Sequence, residues 1–231
     1  MEAILKEGLA QLGLDTGSIP ALTEFSRRLL EKNQVMNLTA ITEPADVARL
    51  HLLDCACLLT AADFRGKQVV DVGTGAGFPG MPLRLLEPDF DLTLLDSLGK
   101  RIDFLQETVD AMGLQRVRCV HARAEEFAAG RRESFDIAVR RAVAALPVLC
   151  EYCLPFVKVG GTFCAMKGAK GAEELDCAGK AIATLGGETQ KTETLILPDG
   201  GERVLINVKK ISHTATKYPR PSAQISKKPL V

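Results

Sequence analysis

The decapeptide Asp71-Val72-Gly73-Thr74-Gly75-Ala76-Gly77-Phe78-Pro79-Gly80 concentrates the chemistry of this chain. It follows the apolar run Gln68 to Val72 and opens a helix, the place where a doubly wound sheet receives a nucleotide. Gly75, Gly77 and Gly80 satisfy the G-x-G-x-x-G spacing of a dinucleotide site, so a dehydrogenase is one reading. No Gly-Lys-Ser/Thr follows, which removes a Walker loop. Two carboxylates favour another ligand. Asp71 ends the first strand, where a pyrophosphate would meet a negative charge at short range and be repelled. Asp96 ends the next strand, where a carboxylate can accept both ribose hydroxyls. S-adenosylmethionine carries a sulfonium and an ammonium and no phosphate, and it suits this pair of acids.

Other reactive side chains read more plainly. His51 and Asp54 lie one helical turn apart and share a face, as expected of a hydrogen-bonded structural pair. Cys55 and Cys57, and Cys150 and Cys153, come nearest to metal spacing. A zinc site needs four ligands, and none of the three histidines forms a pair at ligand spacing, so no metal is expected. The seven cysteines are expected to be reduced and to pack as small hydrophobes.

The elements that must carry these residues follow from periodicity. With 231 residues, 46% hydrophobic and 25% charged, the chain is long enough to bury a core and has the composition of a globular protein. No apolar stretch approaches the ~18 residues of a membrane span, and the first residues lack the order of a signal peptide, so a cytoplasmic protein without a membrane is expected. Residues 1–62 read as a helical N-terminal extension, with starts at Ser18-Ile19-Pro20 and Thr42-Glu43-Pro44. From residue 63 to the C-terminus the pattern is βαβ. Strands are expected at 68–73, 91–96, 117–121, 135–140 and 162–167, with helices at about 80–87, 100–112, 143–153 and 171–184. Two further strands, 195–197 and 203–211, flank the turn Pro198-Asp199-Gly200-Gly201. The expected fold is α/β and Rossmann-like, a mostly parallel seven-stranded sheet with an antiparallel C-terminal hairpin. Charge is balanced at 29 basic against 29 acidic residues, yet Arg203, Lys209, Lys210, Lys217, Arg220, Lys227 and Lys228 crowd a terminal stretch with no acid in it. A basic tail on an acidic body hints at a polyanionic partner.

Several segments together carry a specific resemblance. They are Met36-Asn37-Leu38-Thr39-Ala40-Ile41, His51-Leu52-Leu53-Asp54, the glycine loop through Phe78-Pro79-Gly80, Ala124-Glu125-Glu126-Phe127, Arg141-Ala142, Met166-Lys167-Gly168, Lys217-Tyr218-Pro219-Arg220 and Lys227-Lys228-Pro229-Leu230. With these the chain, from about residue 33 onward, resembles the RsmG (glucose-inhibited division protein B) family, S-adenosylmethionine-dependent methyltransferases that modify guanine N7 in 16S ribosomal RNA.

The resemblance implies that Gly73 and Phe78 contact the cofactor and that Ala124 and Glu125 meet its adenine. It selects Arg141 as the arginine of the cofactor site and leaves Arg140 to a solvent or phosphate contact. With Asp71, Gly75, Gly77 and Asp96 these complete the expected cofactor set. The expected partner is 16S rRNA or the small ribosomal subunit, met by Arg140, Lys167, Lys217, Tyr218 and Arg220, with Arg27, Arg28 and Lys32 extending the surface. Guanine N7 is a neutral lone pair, so no catalytic acid or base is expected, and the protein is expected to act as a monomer. At this stage a dehydrogenase, a small-molecule methyltransferase and a non-catalytic RNA-binding protein remain alternatives.

Overall fold

The computed structural model describes residues 1–141, 144–197 and 201–231. Ala142, Val143, Pro198, Asp199 and Gly200 lie outside the described residues. With them lie most of the expected turn, the Ala142 of one matching segment and the start of the helix expected from 143.

Among the described residues seven strands form one sheet: β1 (Lys67–Val72), β2 (Phe90–Asp96), β3 (Val117–His121), β4 (Phe135–Arg141), β5 (Val157–Lys167), β6 (Gly187–Ile196) and β7 (Glu202–Lys210). Their order is β3-β2-β1-β4-β5-β7-β6, with β1 to β5 parallel and β7 antiparallel to both β5 and β6. The chain builds outward from β1 through β2 to β3, then returns to lay β4 on the other side of β1. The connections leaving β1 and β4 therefore diverge, and a crevice opens between their carboxyl ends. β6 starts eight residues before the expected 195, because Gly187–Thr194 is an exposed polar edge held by its pairing with β7. A short helix at Ala124–Arg131 and another at Ser222–Lys227 were not expected from the pattern.

Alternate residues of each strand feed two cores, one on each face of the sheet. Val69, Leu92, Leu94, Ile137, Val139 and Cys164 face one way, Val70, Val72, Ala138, Phe163 and Ala165 the other. Leu5, Leu9, Leu22, Phe25 and Leu29 of the first two helices (Glu2–Gln11 and Ile19–Asn33) join the first cluster, so these helices share the core on that face of the sheet. Cys55, Cys57, Cys150, Cys153 and Cys164 are free and buried, and burial pushes their thiols up, which leaves them inert packing groups.

The glycine loop is folded tightly onto the first helix that follows it (Gly80–Leu86). Gly77 has φ +99°, and a Cβ there would come within 2.8 Å of both Met81 Cγ and Leu105 Cδ2. Gly77→Ala should therefore combine backbone strain with overpacking and cost about 2–4 kcal/mol. Thermal denaturation should show a Tm lowered by about 5 °C or more; an unchanged Tm would mean the loop yields freely.

Candidate active site

Two cavities open at the carboxyl edge of the sheet. The first, about 350 Å³, lies over the crevice between β1 and β4 and is lined by Gly73, Asp96, Arg101, Ala124, Glu125, Arg140, Tyr152 and Ser222, among others. It gathers residues from β1, β2, β4, the helix Ala124–Arg131, the helix Leu146–Cys153 and the C-terminal segment. Gly73 has φ +72°, and a Cβ there would approach Arg140 Nη2 to 3.3 Å, so the bare backbone forms part of the wall. Asp96 is nearly buried. Its Oδ2 accepts from the Gly75 amide at 2.9 Å, its Oδ1 accepts from the Leu98 amide at 2.9 Å, and Arg101 stands 3.6 Å away. Each of these oxygens keeps a second lone pair for a ligand hydroxyl. The Arg140 guanidinium lies 4.9 Å from the centre of the Tyr152 ring, and its buried Nε has no hydrogen-bond partner among the described residues.

These groups fit an adenosyl ligand. A diol acceptor, a backbone of glycine, an alanine beside a carboxylate and an under-used guanidinium supply what ribose, adenine and an amino-acid carboxylate need.

The expected cofactor set divides here. Gly73, Asp96, Ala124 and Glu125 line the cleft together. Asp71 does not, which corrects its reading as a charge at the cleft mouth. It is fully buried behind the loop, where Oδ2 accepts from Thr74 Oγ1 at 2.6 Å and from the Gly80 amide at 2.8 Å. Burial pushes its carboxyl up to about 6, opposed by these two hydrogen bonds. Gly75 serves through its amide on Asp96, and Gly77 through its packing. The Phe78 ring is buried away from the cleft, stacked 4.4 Å from His51 and edge-on to Phe25. The two arginines take opposite places from those expected. Successive side chains of a strand point to opposite faces, so Arg140 enters the cleft while Arg141 enters the neighbouring cavity, its guanidinium 4.8 Å from the Phe78 ring centre.

That second cavity, about 660 Å³, is lined by His51, Asp54, Arg141, Met166, Lys167, Glu174 and Arg203, among others. A π-helical turn over Ala48–Leu53 carries His51, a distortion often found at functional sites. His51 and Asp54 are joined through Arg141. Its Nη2 donates to His51 Nδ1 at 3.0 Å, while Nη1 donates to Asp54 Oδ2 at 3.3 Å and to the Leu50 carbonyl at 3.1 Å. An arginine can only donate, so His51 Nδ1 accepts and its Nε2–H donates to Thr39 Oγ1 at 2.8 Å. Arg203 Nε completes Asp54 at 2.7 Å. Segments distant in the sequence, around Thr39, His51, Arg141 and Met166-Lys167, thus converge on one cavity.

The expected RNA contacts are largely committed inside the protein. Lys167 is buried, donating to the Ala144 carbonyl and paired with Glu174 at 2.8 Å. Tyr218 is packed into the second core, which corrects its reading as a base-stacking residue. Arg220 is paired with the fully buried Glu151, which corrects its reading as a phosphate contact. Lys217 is exposed, with Nζ 5.3 Å from the Tyr218 ring centre. Arg27, Arg28 and Lys32 pair with Glu24, Glu31 and Glu107. Tyr152, Ser222, Arg203 and Glu174 line the cavities without having been expected to. Arg203 was visible as one charge of the basic stretch, whereas Tyr152 sits in a helix that reads as core.

The chain is similar to proteins of known family and fold. Residues 18–203 match the family model described as rRNA small subunit methyltransferase G. A relative from Alkaliphilus oremlandii named "Ribosomal RNA small subunit methyltransferase G" is 48% identical, covering 100% of this chain and 99% of its own length. One of the same name from Geobacillus thermodenitrificans is 46% identical over 96% of each chain. Among solved structures, a SAM-dependent methyltransferase from Aquifex aeolicus superposes with TM-score 0.53 at 16% identity, covering 77% of this chain and 97% of its own. The M. jannaschii TYW2 complex with AdoMet gives TM-score 0.52 at 16% identity, covering 64% and 71%. At such identities these two structures speak for the fold.

Burial, with the Arg141 guanidinium beside it, pulls His51 from 6.5 down to about 4. Between those values the unfolded chain binds the extra proton and the folded chain does not, so stability falls as pH drops through this window. Asp71 acts in the opposite sense, since its raised carboxyl makes the folded state the better proton binder between 3.8 and about 6. His51→Gln should lessen the loss of unfolding free energy between pH 7 and pH 4.5 by about 2 kcal/mol relative to wild type. Parallel urea titrations at the two pH values check this, and equal losses in both proteins would contradict the buried neutral imidazole.

Proposed function

The chain belongs to the rRNA small subunit methyltransferase G family, and from that premise we propose that it transfers a methyl group from S-adenosylmethionine to N7 of a guanine in 16S ribosomal RNA. The observation that supports this reading best is the pair of neighbouring cavities at the carboxyl end of β4, one lined by Arg140 and the other by Arg141. One has the donors and acceptors of a nucleoside site; the other is a polar cavity wide enough for a purine base.

In this reading Asp96 accepts the ribose hydroxyls, Ala124 and Glu125 meet the adenine, and Arg140 faces the amino-acid end across Gly73. S-adenosylmethionine supplies an electrophilic methyl on a sulfonium. The second cavity receives the guanine, where the neutral His51 and the Arg141 guanidinium, both seated on the Phe78 ring, form a rigid floor. Exposed Lys170 at its rim, with Lys217, Lys227 and Lys228 of the tail, offers charge to RNA phosphates. N7 would attack with its own lone pair as the S–CH3 bond breaks and its electrons return to sulfur, leaving a neutral thioether, so no side chain has to remove a proton. The protein's contribution is to hold the reacting atoms ~3–3.5 Å apart and aligned. No described helix is long and apolar enough to cross a membrane.

Incubation with labelled S-adenosylmethionine and 16S rRNA from cells lacking this protein should place the label on N7 of a single guanine; label on another atom or base would overturn the reading. The single-turnover rate should be flat between about pH 7 and pH 9, because no proton transfer is needed and His51 remains neutral there. A rise of the rate along one ionisation in that range would reveal a general base and contradict the proposed chemistry.

A further inference from the structure

Much of the basic C-terminal motif that reads as an RNA contact is tied into the protein. Glu151 is fully buried, and its Oε1 accepts from both the amide and the Nε of Arg220, at 2.9 and 2.8 Å, while Oε2 accepts from Nη2 at 2.6 Å. Arg220 Nη2 also donates to the Lys228 carbonyl at 2.9 Å, closing the short helix Ser222–Lys227 onto itself. Arg132 gathers the carbonyls of Tyr218, Thr214 and Ala215. The Tyr218 ring is sunk in the second core, and Ile225 is fully buried. A bidentate pair on a buried carboxylate is either fully made or leaves an uncompensated charge, so this segment has one position. That position brings Ser222 to the rim of the nucleoside cleft, where its amide donates to Glu125 Oε1 at 3.2 Å.

We infer that the C-terminal segment is the outer wall of the cofactor cleft, with Glu151 as a positioning residue that, through Arg220, keeps the Ser222 amide on the Glu125 carboxylate. The inference rests on reading that cleft as the S-adenosylmethionine site. With one oxygen of Glu125 engaged, the carboxylate has one orientation to offer the adenine amino group. Loss of the Ser222 amide frees it to rotate toward water, and the adenine then has to order it on binding. Among the basic side chains of this segment, Lys217, Lys227 and Lys228 are exposed.

Ser222→Pro tests the contact, with Ser222→Ala as the control for loss of the hydroxyl. Proline tolerates the first position of a helix and deletes the amide hydrogen, and Pro221, with φ −54° and ψ 140°, already has the extended conformation that a following proline requires. Calorimetry with S-adenosylmethionine should show Kd raised about five- to tenfold, with Tm within about 2 °C of wild type. Glu151→Gln should raise KM for the cofactor comparably while kcat at saturating cofactor stays within twofold, a split that a loss of folded protein would not produce. Wild-type affinity in Ser222→Pro would overturn the inference whatever Glu151→Gln does to stability. Asp96→Ala, titrated alongside, separates the two levels. If it too binds like wild type, the cofactor reading of the cleft falls and takes the inference with it; if it alone loses affinity, only the wall is refuted.

Discussion

A single buried carboxylate, that of Asp71, holds the glycine loop in the shape on which both cavities depend. It accepts from Thr74 at the loop's start and from the Gly80 amide at its end, so the loop is closed across its own mouth. Taking this charge out of water is costly, and the raised proton affinity of the group records the cost. What it stabilises is a backbone in which the Gly75 amide faces outward onto Asp96. Two acids at the ends of neighbouring strands thus divide the work: one fixes the loop from behind, and the other is fixed by the loop and faces the cleft. A glycine-rich turn without them would have the same composition and no defined geometry.

The second constraint is the period of two along β4. Because consecutive side chains leave a strand in opposite directions, two adjacent arginines serve two cavities at once. Arg140 lies against Tyr152 and above Gly73. Arg141 bridges His51 and Asp54 over the Phe78 ring. The two cavities lie side by side at the carboxyl edge of β4, so a base held in one can reach a methyl group presented from the other. Methyl transfer to a lone pair asks for little more, since it needs alignment and dryness rather than a proton relay.

Much of this was legible beforehand because it is local. The apolar runs of β1 to β5 have the alternation or continuity of buried strands, and Asp96 and the glycine loop are placed by those strand ends. Where the reading went astray, the deciding partner was remote. Tyr218 and Arg220 look like solvated RNA contacts until Glu151, 69 residues away, is seen to hold the arginine. Asp71 looks like a charge facing a ligand until the loop folds over it. The choice between Arg140 and Arg141 turns on which face of β4 looks toward the cleft, and no local pattern states that. The edge strand β6 was shortened because its exposed polar residues carry no hydrophobic period; only its pairing with β7 defines it.

The central claim, that the cleft beside Asp96 is the seat of the methyl donor and the cavity around His51 that of its acceptor, is tested most directly by a crystal of the protein with S-adenosylhomocysteine. The expected density puts the ribose hydroxyls on the Asp96 carboxylate and the adenine between Ala124 and Glu125, with the His51 cavity open. Nucleoside density seated on His51 and Arg141, with nothing beside Asp96, would contradict it.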